Sequence, residues 1–188
     1  MAVDRLAEKY GVSWKTETRL SVHAATITIA GKPVLLIKPQ TFMNLSGQAI
    51  GNICRFYKWP PQEVLVVVDE VQLPVGASKL SLKGSDGGHN GLKDIISRFG
   101  ANFPRYRLGV EPLEKCLQPM TDVVLGKFTE AERNILAISW EKVLSEIERV
   151  VQLGPELAIN TINQRIPKNE PAKETKLQTD RDSRHPGL

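Results

Sequence analysis

The sequence is short of what secreted, membrane-spanning and metal-built proteins need. Its 188 residues hold two cysteines, Cys54 and Cys116, too few and too far apart for a disulfide framework or a thiolate metal site. That usage points to a reducing compartment. No apolar run approaches the roughly 18 residues of a membrane span, and the opening Met1–Gly11 lacks the apolar core of a signal peptide. Three histidines, His23, His89 and His185, leave little for a histidine-rich metal centre. No Gly-x-Ser-x-Gly elbow is present. No glycine loop ends in the Gly-Lys-Ser/Thr of a nucleotide-binding phosphate loop. Neither a metal nor a cofactor is expected, nor a membrane partner, and an internal repeat is also missing.

What is there is ordinary globular material. Hydrophobic residues make up 41% and charged residues 24%, enough for one full core without staples. The net charge of +4 is compatible with a polyanionic partner and does not by itself demand one.

Helical spacing of Val3, Leu6, Ala7 and Tyr10, with Gly11 as the stop, predicts a first helix. Leu20–Ile29 and Val34–Ile37 read as a hairpin turned at Gly31-Lys32-Pro33. A helix over about Leu45–Lys58 should bury Ala49, Ile50, Ile53, Cys54 and Tyr57 and end at Pro60-Pro61. The run Val64–Val68 has the pattern of a strand covered on both faces. Lys79–Lys83 alternates like a half-exposed strand, a helix follows the glycine-rich stretch 84–91 to about Phe99, and Arg105–Val110 is a further strand. Leu136, Trp140, Val143, Ile147 and Val150 mark a long amphipathic helix. Pro155 opens a last helix, ended by Pro167. Alternating strands and helices predict a single-domain α/β sandwich on a mixed sheet over residues 1–166. Residues 167–188 carry five basic and four acidic side chains and almost nothing apolar, so a disordered charged tail is expected there.

Three clusters carry candidate chemistry. In Thr41-Phe42-Met43-Asn44-Leu45-Ser46-Gly47, Asn44 offers an amide donor and acceptor at a strand–helix junction, or else Thr41 or Asn44 caps the helix. Asp69 directly follows the apolar run, where open α/β sheets bind ligands, and a carboxylate there can orient a histidine. It is equally a turn residue ahead of Leu73-Pro74-Val75-Gly76. In Gly84-Ser85-Asp86-Gly87-Gly88-His89-Asn90-Gly91-Leu92-Lys93 the glycines allow close approach of a ligand, or form a plain turn with Asn90 as helix cap. Lys79, Lys83, Lys93, Arg98, Arg105 and Arg107 flank this last cluster, as a phosphate footprint or as scattered solvated charge. His23, in an alternating strand, reads as a strand or surface residue.

Together these segments resemble the bacterial-type peptidyl-tRNA hydrolase family. Thr41–Gly47 is similar to its TFMNxSG segment, and Asp69-Glu70 with Leu73-Pro74-x-Gly76 to its DExxLPxG segment. Gly87–Lys93 resembles its GGHNGLK loop, Arg105–Gly109 its RxRxGI strand, and Val124-Leu125-Gly126-Lys127-Phe128 its VLGxF segment. Order and spacing agree from residue 1 to about residue 166. The likeness implies a monomeric, metal-independent esterase that cuts the ester between a nascent peptide and its tRNA. Its partner would be peptidyl-tRNA and its location the cytoplasm, or an organelle in a eukaryote. On the matching positions Met43, Asn44 and Asn90 would bind substrate, Asp69 would orient and polarise the catalytic histidine, and His89 would position substrate or water. Lys79, Lys83, Arg105 and Arg107 would face the tRNA.

There are departures. Ser81 stands where the family often has a basic residue, Val71-Gln72 replaces a hydrophobic–acidic pair, and Val110-Glu111-Pro112 replaces an IGxP run. By the same likeness the chain is expected to begin after the family's GLGNPG strand and the TRHN-type segment that supplies its general base. Weak activity and weak stability of this length are then expected. The other reading is a non-catalytic RNA-binding relative such as an RNA-splicing factor, but retention of Asn44, Asp69, His89 and Asn90 favours the enzyme.

Overall fold

The computed structural model describes residues 1–113 and 126–164. Helix α1, Ala2–Lys9, turns Leu6 and Ala7 inward as its spacing predicts, while Val3 and Tyr10 are only half-buried and Ala2 is buried instead. Strands β1 (Lys15–Glu17), β2 (Val22–Ile29) and β3 (Lys32–Pro39) form an antiparallel sheet in that order. The hairpin is tighter than expected. Ile29 pairs with Lys32, so the turn residues are Ala30 and Gly31, at φ of 48° and 76°. Positive φ at both positions gives the twist that two-residue hairpins need. Lys32 and Pro33 already belong to the strand.

Helix α2 (Ser46–Tyr57) follows a 3-10 turn at Met43–Leu45 and stops at Lys58, whose φ is 57°. It buries Ala49, Ile53 and Cys54, whereas Tyr57 is exposed and stacks on Trp59 at 4.5 Å. Strand β4 starts at Val66, two residues later than the apolar run suggests, and continues to Pro74. Val66–Val71 and Leu73 are half-buried and Gln72 and Pro74 exposed, because β4 is an edge of its sheet rather than a covered centre. β4 pairs in parallel with β6 (Arg105–Glu111), and β5 (Ser78–Ser81) pairs antiparallel with β6 on the other side. The mixed α/β sandwich is therefore carried by two three-stranded sheets, of which β4-β6-β5 is the mixed one.

Helix α3 (Asn90–Phe99) returns from β5 to β6. Helix α4 (Glu130–Leu153) buries Leu136, Trp140, Val143, Ile147 and Val150, the whole predicted stripe. Helix α5 (Pro155–Ile162) ends five residues before Pro167. Asn163 stops it there: its side-chain amide donates to the Leu80 carbonyl at 2.8 Å and accepts the Leu80 N–H at 2.9 Å. The free edge of β5 is closed in this way without another strand.

Ala25, Ile27, Ile29 and Leu36 of the first sheet and Leu80, Tyr106 and Leu108 of the second share one core with α1, α4 and α5. On the opposite face α2 covers Val22, Ala24, Leu35 and Ile37. There α3 covers Val66 and Val68 through Leu92 and Ile95. Among the described residues no helix is long and apolar enough to cross a membrane. Cys116, Val124-Leu125 and the tail 167–188 lie outside the described residues.

Candidate active site

The glycine-rich segment turns through positive φ at Gly84, Gly87 and Gly88, conformations that side chains rarely adopt. Within it Asp86 accepts the Gly88 N–H on its carboxylate at 2.8 Å and the His89 N–H on its carbonyl at 3.0 Å. The chain then enters α3 at His89, and here the structure corrects the sequence reading. The helix cap is His89, not Asn90: the His89 Nδ1 accepts the Leu92 N–H at 3.1 Å. Asn90 is the first helical residue and is exposed.

That cap fixes the state of the ring. A ring nitrogen that accepts a hydrogen bond carries no proton, so the neutral imidazole holds its proton on Nε2. Nε2 faces the Asp69 Oδ1 at 3.4 Å, with the two side chains 16% and 32% exposed. Asp69 lies inside β4, opposite Leu108, not in a turn beyond the strand. The His89 N–H is the main cause that holds the Asp69 carboxyl below its ordinary value, against burial, which pushes it up. Among the described residues Oδ2 of Asp69 takes no side-chain partner.

Met43 reaches the same place from the 3-10 turn before α2, with Asn44 next to it in the chain. Ser46 donates to the Met43 carbonyl at 2.8 Å and pins the turn. Gly91 leaves room for the Met43 side chain. A Cβ at Gly91 would lie 2.8 Å from the Met43 sulfur and 2.9 Å from Cε1 of His89, so the thioether sits beside the histidine. Asn44 is exposed and does not cap α2. That service comes from Asp94 on α3, whose carboxylate accepts the Gly47 N–H at 2.8 Å and the Arg98 Nε–H at 3.0 Å. Nothing in the sequence marks Asp94, because the partner is a backbone group 47 residues away. Thr41 does not cap either, and its buried hydroxyl has no partner among the described residues.

The basic footprint divides. Lys79 and Lys83 are exposed. Arg105 is not a surface residue at all, being 0% exposed. Its guanidinium donates to the carbonyls of Gly84 at 2.6 Å, Ser85 at 2.7 Å and Ala101 at 3.1 Å and lies over the Phe103 ring. Burial, helped by the charge of Arg107, lowers its pKa. The expectation that Arg105 faces tRNA is therefore withdrawn: no phosphate reaches a guanidinium sealed among carbonyls. Arg107 donates to Glu70 at 2.5 Å and to the Ser85 carbonyl at 3.5 Å. His23, half-buried in β2 opposite Lys38, is a strand residue away from this cluster.

A groove of about 680 Å³ runs between α2 and α3, lined by Gln48, Asn52, Arg55, Trp59 and Arg98. Another of about 260 Å³ lies at Lys83, Asn102 and Pro104. Neither of these two grooves is lined by Asp69 or His89. Among the described residues no three His, Cys, Asp or Glu side chains converge as metal ligands would.

Residues 1–171 match the protein family described as "Peptidyl-tRNA hydrolase". The chain is 40% identical over 164 residues to the peptidyl-tRNA hydrolase of Edwardsiella ictaluri, covering 86% of this chain and 83% of that one. It is 38% identical over 163 residues to that of Clostridium novyi, with 86% and 85% covered. Its fold is similar to the crystal structure of peptidyl-tRNA hydrolase from Acinetobacter baumannii, with a TM-score of 0.78, 34% identity, and 87% and 83% of the two chains covered.

Proposed function

The chain belongs to the peptidyl-tRNA hydrolase family, hydrolases of the ester that joins a peptide to its tRNA, and we propose that this chemistry is organised around Asp69 and His89. The observation that carries the reading is the fixed tautomer of His89. With Nδ1 committed to Leu92, the ring presents an N–H and not a lone pair to its surroundings. His89 in this state positions rather than deprotonates.

The reaction sets the remaining roles. Water attacks the ester carbonyl carbon and the bond to the ribose oxygen breaks. The water's proton must be accepted, and the ribose oxygen leaves protonated. Asn90, first in α3 after His89, and Asn44, exposed on its 3-10 turn, offer amide groups for the peptide backbone and the ester. Met43 supplies the apolar wall between them. Asp69 keeps one oxygen open, from which it orients water or polarises the histidine that the family uses as its base. While His89 keeps its present hydrogen bonds it is not itself free to accept the water's proton.

The substrate is peptidyl-tRNA. We assign its tRNA part to Lys79 and Lys83, which are exposed and have no acidic partner among the described residues. We take residues 1–166 as one domain with 167–188 as an appended tail, acting as a monomer in the cytoplasm or an organelle. None of the comparisons favours an RNA-splicing relative.

The test is release of peptide from peptidyl-tRNA, measured beside binding of the same tRNA, for this chain and its Asp69→Asn variant. Loss of hydrolysis with binding retained supports the reading. Equal hydrolysis by both removes Asp69 from the mechanism.

A further inference from the structure

We propose that Asp94 is a positioning residue for the hydrolysis. Its carboxylate holds the turn that carries Met43 and Asn44 in register with the start of α3, which carries His89 and Asn90. This rests on the reading of Asn44 and Asn90 as residues that bind the substrate.

The contacts between α2 and α3 step along both helices in the same sense. An added Cβ at Gly91 would meet the Met43 sulfur at 2.8 Å, and one at Gly47 the Asp94 carbonyl oxygen at 2.6 Å. One at Gly51 would meet the Phe99 ring at 3.0 Å. Residues about one turn apart share a helix face, so α2 and α3 run parallel with their starts side by side. Like ends of two helix dipoles therefore lie together at the site, each with backbone N–H groups that its own helix leaves unpaired.

A carboxylate at this junction meets both needs. Leu45, at the cap position of α2, gives the helix no side-chain hydrogen bond. Asp94 supplies one from the neighbouring helix, accepting the Gly47 N–H at 2.8 Å. Arg98 donates its Nε–H to the other carboxylate oxygen at 3.0 Å and fixes its direction. The Asp94 side chain is only 13% exposed, which leaves little access for a water to take its place.

The bond acts close to the site. Gly47 stands three residues after Asn44, and Asp94 four after Asn90. The link is thus within about one helical turn of both asparagines. Ser46 donates to the Met43 carbonyl at 2.8 Å, so the turn moves with the start of α2. Backbone packing at Gly47 sets how near the helices come. Asp94 sets their register.

The experiment uses the full chain with Asp94→Ala, Asp94→Ser and Asp94→Asn, and Asp94→Ala combined with Asn44→Ala. Serine stops one bond short of Gly47 and is a gentler removal of the acceptor. Asparagine keeps an acceptor oxygen at the original length. Three quantities are read: hydrogen exchange of the Gly47 amide, affinity for deacylated tRNA, and kcat on peptidyl-tRNA. Gly47 exchange should quicken at least about tenfold in the Ala and Ser variants. Misplacement by about 1 Å costs up to roughly 10²-fold in rate, so their kcat should fall about tenfold or more. Affinity for deacylated tRNA should stay within about twofold, a split that general loss of structure would not give. Asp94→Asn should keep kcat within about threefold. In the Asn44→Ala background the Asp94→Ala loss should shrink to about threefold or less, because residues that act through one another are not additive.

Full kcat or unchanged Gly47 exchange in both Asp94→Ala and Asp94→Ser would overturn the proposal. So would equal Asp94→Ala losses with and without Asn44, or a tRNA affinity that falls in step with kcat. An Asp94→Asn loss as large as that of Asp94→Ala would make charge, not the hydrogen bond, the operative feature and overturn it too. Asn44→Ala alone separates the two ideas. If it keeps full activity, the assignment of Asn44 to the substrate falls; if it loses activity while Asp94→Ala does not, only the positioning role falls.

Discussion

His89 meets Asp69 at 3.4 Å through Nε2 while its Nδ1 closes the first turn of α3 on Leu92. One imidazole thus joins a strand carboxylate to a helix terminus. The arrangement is self-consistent only for the neutral ring with its proton on Nε2. A proton on Nδ1 would set two N–H groups against each other and remove the cap. The approach to Asp69 and the order of α3's first turn are therefore coupled.

Replacing Asp69 by Ala should cut hydrolysis of peptidyl-tRNA on the order of 10²–10⁴-fold, the range of a lost acid–base contribution. Single-turnover release of peptide measures it directly. Survival of activity within threefold would remove Asp69 from the reaction.

The same carboxylate should leave a mark on stability. Its pKa in the fold lies below the ordinary value, chiefly because His89 donates to it. An unfolded aspartate titrates near about pH 4. What Asp69 adds to stability is then fully present above that pH and is lost as pH falls through the lower folded value. The gap in urea midpoint between the unmodified chain and Asp69→Asn should be flat from about pH 7 to 5 and close below about pH 4. A gap that widens on acidification would contradict the assigned cause.

Association with tRNA should be electrostatic and tolerant of sequence. Each phosphate contact contributes roughly 0.7–0.9 to the slope of log affinity against log salt. The double change Lys79→Ala with Lys83→Ala should flatten that slope by about 1.4–1.8. An unchanged slope in filter binding would move the tRNA surface elsewhere.

Much of this was legible in the sequence, and the exceptions share a cause. The stripe Leu136–Val150 and the alternation in β2 announce themselves because local periodicity decides which face is buried. Asn44, Asp69, His89 and Asn90 are singled out by three segments whose residue order is distinctive, and of these the structure brings Asp69 and His89 within 3.4 Å. Arg105 was misread because a charged residue beside a glycine loop looks solvated, and only the path of residues 84–101 reveals the carbonyls that enclose it. Asp94 escaped for the same reason, its work being done on a distant backbone N–H. The assignment of the cap to Asn90 failed on competition. Asparagine is the better capping residue by preference, yet the chain geometry offered the position to His89.

Two glycines at helix starts give different forecasts, and the contrast tests the packing that assembles the site. At Gly47 an added Cβ would stand 2.6 Å from the backbone oxygen of Asp94, an atom that cannot move unless α3 moves. Gly47→Ala should force α2 and α3 apart and break the Gly47–Asp94 hydrogen bond. Overpacking of this kind costs about 1–3 kcal/mol, and the gain in helix propensity returns up to about 1 kcal/mol. At Gly91 the atoms met are the Met43 sulfur at 2.8 Å and Cε1 of His89 at 2.9 Å, both ends of side chains. Met43 can swing away, whereas displacing the His89 ring costs its hydrogen bond to Leu92, so Gly91→Ala should lower stability by about the 1 kcal/mol of a lost helix cap while displacing two groups of the candidate site. Hydrolysis by Gly91→Ala should fall at least about tenfold, since misplaced groups lose rate steeply. Thermal unfolding and peptide release on the two variants provide the check. A Gly91→Ala protein that is fully active would show that neither Met43 nor the orientation of His89 matters to the reaction. A Gly47→Ala protein as stable as the unmodified chain would show that the close approach of α2 to α3 is not what holds the Met43–Asn44 turn beside them.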